Sequence, residues 1–173
     1  MRTSAVSRNT SVHSVKATDH RRLRALACLL PLLFTATVTL AQSEIRPEHL
    51  AVGLLVGPVS GLGMKATYLE PTADRTGRSI DMALSFNLQG YVYSSVHTLS
   101  ERVLPDSPLR VVIGPGMMSE FDDESLRWGI SGLLGAYFLR GPYEILLQLQ
   151  PRLYITPDRS GSFGAAVGLR YRF

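Results

Sequence analysis

Two sets of side chains in this sequence could do chemistry. The first is a nucleophile-and-base set: His97 stands close in the chain to Ser94, Ser95 and Ser100, and a serine activated by a histidine is the minimum for acyl transfer. A lone histidine is far more often structural, so the chain is read as not an enzyme, with a lipid-modifying membrane enzyme as the reading that His97 would support. The second is a set of charges: Lys65, Asp81, Arg110, Glu120, Arg127, Glu144, Arg152, Arg170 and Arg172. Each falls on the polar phase of an alternating stretch, which suits ion pairing inside a closed structure better than catalysis. Metal chemistry has no support. The single cysteine is Cys28, and no Cys/His cluster has ligand spacing, so no metal and no cofactor are expected.

The elements that hold these charges begin well inside the chain. Arg21, Arg22 and Arg24 precede an apolar run, Ala25 to Leu40, broken by Pro31 and followed by small residues up to Ala41. This is the pattern of a secretory signal peptide over 1–41 with a long n-region. Residues 42–49 are a polar periplasmic lead-in, and 50–173 form the remaining domain. Cleavage removes six of the 18 basic residues and one of the 14 acidic ones, so the mature charge is −1. The pI of about 9.5 belongs to the precursor, and a nucleic-acid partner is not expected.

From Leu50 onward hydrophobic residues recur at a period of two. The pattern predicts eight strands, at 50–57, 61–69, 79–88, 91–99, 108–121, 125–139, 143–156 and 161–173. The last is the clearest: Phe163, Ala165, Val167, Leu169, Tyr171 and Phe173 share one face, and Gly164, Gly168, Arg170 and Arg172 the other. In the fourth strand Val92 and Val96 are placed outside, with Tyr91, Tyr93, Ser95 and His97 inside. Pro115 implies a local bulge in the fifth. Strands of this length with apolar residues outward fit a transmembrane β-barrel. The expected fold is therefore all-β, an eight-stranded antiparallel up-and-down transmembrane barrel.

In that arrangement Tyr68, Phe138, Tyr143, Tyr171 and Phe173 share the periplasmic level, and Trp128 and Phe163 the opposite rim, as interfacial girdles do. Eight strands leave an interior that side chains can fill. Gly63, Gly114, Gly129, Gly135, Gly164 and Gly168 would make room there for arginines and tyrosines. Buried charges have to pair; Lys65 or Arg127 with Asp81, and Arg152 or Arg170 with Glu144, are the expected pairs.

The segments GPVSGLGMKATYL at 57–69, SIDMALSF at 79–86, YEILLQLQP at 143–151 and the terminal VGLRYRF resemble the small eight-stranded bacterial outer-membrane β-barrels, an uncharacterised outer-membrane or porin-like family. Such relatives often carry an acidic residue where Gln148 stands and an aspartate near Ser95, so this chain departs from their internal charge pattern. The resemblance implies that Phe173, with Tyr171 and Leu169, is the signal read by the outer-membrane assembly machinery. It also implies periplasmic chaperones as passing partners during biogenesis, and lipid and lipopolysaccharide of a Gram-negative outer membrane as permanent surroundings. The chain is expected to be a monomer. Its leading function is a non-enzymatic outer-membrane protein with a filled lumen; the alternative is a narrow porin-like channel for small solutes or anions.

Overall fold

The computed structural model describes residues 49–58, 60–86, 92–122, 125–156 and 159–173. The expected signal peptide and the expected lead-in up to residue 48, together with Leu88 and Tyr91, lie outside the described residues. Eight strands follow in chain order: β1 His49–Val56, β2 Gly61–Leu69, β3 Gly77–Phe86, β4 Val92–Val103, β5 Leu109–Asp122, β6 Ser125–Arg140, β7 Tyr143–Thr156 and β8 Ser160–Arg172. Each pairs antiparallel with its neighbours in sequence, and β8 returns to β1, closing the barrel. No edge is left open, which is what a sheet surrounded by hydrocarbon requires.

Alternation in the sequence becomes alternation across the wall. Leu54, Ile113, Leu147 and Phe163 face outward and are more than half exposed, whereas Ala51, Leu55, Lys65, Asp81, Tyr137 and Arg170 face inward and are buried. Hydrophobic residues thus line the outside and most charges the inside, the reverse of a soluble barrel. The interior also has apolar packing: Leu55, Leu99, Val112, Leu133, Tyr137 and Leu146 form one cluster, and Tyr93, Met118 and Tyr154 a second.

Two features of the wall differ from the sequence reading. β4 continues to Val103, because the inward phase of Tyr93, Ser95 and His97 carries on through Leu99 to Glu101, so the first half of the expected loop at 100–107 is strand. The facing chosen for Val96, Tyr93, Ser95 and His97 is the one observed. The bulge expected at Pro115 is not there. Pairing with β4 lapses between His97–Gly116 and Ser100–Ile113 while the register is kept, and Thr98 Oγ1 donates to Pro115 O at 3.5 Å. The register shifts fall instead at Thr67/Leu69 and Trp128/Gly129.

Turn chemistry closes the hairpins. Gly141, at φ 60°, begins the two-residue connection Gly141–Pro142 between β6 and β7. A positive φ at that position followed by proline's fixed negative φ is the requirement of a type II′ hairpin turn. The chain end finishes the seam, where Phe173 N–H donates to Leu50 O at 2.8 Å.

Candidate functional site in the lumen

The end of the lumen nearer Phe173 carries a network of ion-paired side chains. Glu144 and Arg170 are directly opposite on β7 and β8, and Arg170 Nη1 lies 3.3 Å from Glu144 Oε1 and 2.6 Å from Asp81 Oδ2. Lys65 Nζ lies 2.5 Å from Glu144 Oε2 and 3.4 Å from Glu101 Oε1, and 4.4 Å above the Tyr137 ring. Tyr137 donates its hydroxyl to Asp81 Oδ2 at 3.4 Å, and Ser79 donates to Glu101. Nearer the end, Arg110 Nη1 sits 2.6 Å from Glu70 Oε2 and 3.9 Å from Glu101 Oε2, and Arg172 also pairs with Glu70. These groups balance, four cations against four carboxylates. That balance is what lets charges with almost no exposure persist in a low dielectric.

Glycines give these side chains their path. Arg170 pairs with Gly53 across the seam, and Gly53 with Gly63 on β2. A Cβ on Gly63 would sit 3.1 Å from Arg170 Nε and Nη2, so the guanidinium reaches β3 because no side chain stands in its way. Gly164 does the same for Arg152, whose Nη2 would be 2.7 Å from an added Cβ. At Gly114 and Gly129 the nearest atoms are backbone, so the steric argument made for the inner glycines holds at Gly63 and Gly164 but not at these two.

The other half is polar but less ionic. Arg127 Nη2 lies 2.5 Å from Glu120 Oε1, and Tyr154 donates to Glu120 Oε2 at 2.6 Å. Arg152 stacks 4.3 Å over the Tyr93 ring and donates to Gln150 Oε1 through Nε and Nη2. Gln150 Nε2 is 3.2 Å from His97 Nε2, and Ser131 Oγ is 2.8 Å from it. A cavity of about 20 Å³ lies among Ser85, Tyr93, Gln148 and Arg152, room for about one water. No group of His, Cys, Asp or Glu that could hold a metal occurs among the described residues.

All nine charges singled out in the sequence lie on inward positions, but several partners differ. Asp81 is bound by Arg170, not by Lys65 or Arg127; Lys65 turns to Glu101 and Glu144, and Arg127 to Glu120. Of the two expected partners for Glu144, Arg170 makes the contact. The serines near His97 in sequence do not reach it: Ser94 bonds Ser119, and Ser100 accepts from Arg78. The serine that does is Ser131 on β6. Glu70 and Glu101 were missed because both were assigned to loops; the odd-numbered phase of β4 pointed to Glu101. Among the aromatics, Tyr143 and Tyr171 meet edge to face at 5.7 Å, and Tyr171 and Phe173 at 5.1 Å. Trp128 and Phe163 are exposed toward the opposite end, and Tyr68 and Phe138 are half-buried.

An apolar outer wall around an ion-paired interior defines a small membrane-type β-barrel. The fold is similar to the crystal structure of the N-terminal β-barrel domain of Pseudomonas aeruginosa OprF, with a TM-score of 0.52 and 11% identity, over 73% of this chain and 98% of that one. No family model matches the sequence, and neither does any curated protein.

Proposed function

We propose that this protein is an integral outer-membrane protein without enzymatic activity, whose lumen is closed by its own side chains. The observation that carries this is the Lys65–Glu144–Arg170–Asp81 cluster, whose members are at most 2% exposed. Opening a passage there would separate paired charges at a cost of several kcal/mol. In this reading the Phe173 end is periplasmic, Leu169, Tyr171 and Phe173 address the assembly machinery, and the barrel is a monomer in lipid and lipopolysaccharide. Planar-bilayer recording of the refolded protein tests the closed lumen. The expected trace is silent; a reproducible large conductance overturns it.

One observation favours a second reading, a narrow anion path. Among the described residues Arg152 contacts an amide and an aromatic ring but no carboxylate, and a lumen cation without a counter-charge favours anions. Liposome swelling with small anionic solutes separates the two readings: entry supports the path, and none removes it.

A further inference from the structure

Among the described residues the outer wall has a broad, open depression. Pro115 on β5, Gly132 on β6 and Pro151 on β7 stand side by side at the same height, since Pro115 pairs with Gly132 and a Cβ on Gly132 would lie 3.3 Å from Pro151 Cγ. Around them the wall carries long side chains: Ile113, Ile130 and Leu153 are about half exposed or more. The three short residues leave a notch of about 640 Å³ whose rim those side chains form, a volume within the usual range of small-ligand pockets, roughly 300–1,000 Å³. The ladders on either side also lose pairing here. The β4–β5 ladder lapses beside Pro115, and the β6–β7 ladder lapses between Ser131–Arg152 and Leu134–Leu149, beside Pro151. Proline supplies no N–H to either.

We propose that this notch seats one acyl chain of a membrane lipid. The inference rests on the membrane-spanning reading of the barrel and goes beyond it by naming a place on the wall. The notch is continuous with the lipid-facing belt, so hydrocarbon already surrounds it. A void in that belt forfeits dispersion contacts on every lining atom, and a flexible chain restores them. The belt on the opposite wall, at Leu54 on β1 and Leu62 on β2, offers a chain one side of contact; the notch offers a floor and two flanks. A second copy of the barrel, convex over most of its wall, fits such a hollow less well.

The test uses the full chain refolded into phosphatidylethanolamine/phosphatidylglycerol vesicles doped with a phosphatidylcholine bearing a diazirine in its acyl tail, with label sites mapped by mass spectrometry. Labelling of 113–117, 130–134 and 149–153 is expected to exceed that of 50–56 and 62–66, on the opposite wall, by roughly fivefold, the ratio that about 1 kcal/mol of preference gives. Gly132→Leu, which fills the notch from the lipid side, brings the two walls to parity, and Gly132→Ala falls between, keeping the test available where the larger side chain blocks folding. Even labelling around the wild-type belt, an unchanged pattern in Gly132→Leu, or concentration-dependent cross-links between copies at the notch each overturn it. Heat-modifiable migration on a detergent gel reads the membrane fold separately, so loss of that fold is told apart from loss of the chain site.

Discussion

Arg170 and Asp81 sit on strands separated by two others, yet Arg170 Nη1 lies 2.6 Å from Asp81 Oδ2, reached past Gly53 and Gly63. Arg170 is the largest of the fully buried side chains, and it holds Glu144 as well. The lumen is therefore braced across its width as well as around its circumference.

Replacing Arg170 by leucine leaves Asp81 without its cation and weakens the hold on Glu144, which keeps Lys65. Removing one partner of a buried pair costs about 3–5 kcal/mol, and that loss is the expected outcome in denaturant unfolding of the detergent-refolded barrel. A double change, Arg170→Leu with Asp81→Leu, removes both charges together and is expected to cost less than the single change. A double loss equal to the sum of the two single losses would show that the pair is not coupled.

Gly63 is the position where a small steric change reaches the same network. With the added Cβ 3.1 Å from the Arg170 guanidinium, Gly63→Val is expected to displace Arg170 from Asp81 and lower stability by about 1–3 kcal/mol, the usual range for overpacking. In the Arg170→Leu background the same substitution should cost clearly less. Unfolding midpoints of the four proteins complete the cycle.

Much of this barrel was legible because each strand has two environments, and a period of two records them residue by residue. Eight strands, their order and their facing followed from that, including the weak alternation around Val96 and His97. The partners inside were not legible. Asp81 had two expected cations, Lys65 and Arg127, yet the one that arrives is Arg170; that outcome depends on strand tilt and on the cleared path over Gly63, neither of which leaves a mark in a linear pattern. Glu101 was lost for a different reason: the dipeptide Pro105–Asp106 announces a turn, and the turn signal was extended backward over residues whose alternation was still running. Ser131 could not be matched to His97, since the two are brought together by adjacent rungs on β4, β5 and β6.

Glu70 ties the chain end to the barrel through Arg172 and also holds Arg110 and His49. Burial pushes its carboxyl pKa up, but the Arg110 hydrogen bond and the charges of Arg110, Arg172 and His49 outweigh it and hold the group below its ordinary value of 4.5. A depressed carboxylate stabilises the fold above its unfolded pKa, and that contribution disappears as pH falls through the folded one. Wild type should therefore exceed Glu70→Gln in stability around neutral pH, and the two should converge in acid below pH 4.5. A gap that persists or widens in acid would assign the role to something other than the carboxylate charge.

In the proposed reading Phe173 joins structure to biogenesis. Its N–H completes the seam to Leu50, and its ring extends the edge-to-face pair of Tyr143 and Tyr171. Deleting it removes one hydrogen bond, worth about 0.5–1.5 kcal/mol, and one aromatic contact, worth about 0.5–1.5 kcal/mol beyond its area. A barrel whose strands are otherwise paired should survive that loss when refolded in detergent. The expected result is accordingly split: the deletion variant refolds with a modest drop in unfolding midpoint, while its level in the outer membrane of expressing cells falls several-fold. Tyr171→Ala, which keeps the terminal phenylalanine and removes the ring between Tyr143 and Phe173, should lose the stacking but depress cellular levels less. Normal membrane levels of the deletion variant would reduce Phe173 to a packing residue, and a collapse of refolding in detergent would assign its importance to the seam instead of to recognition.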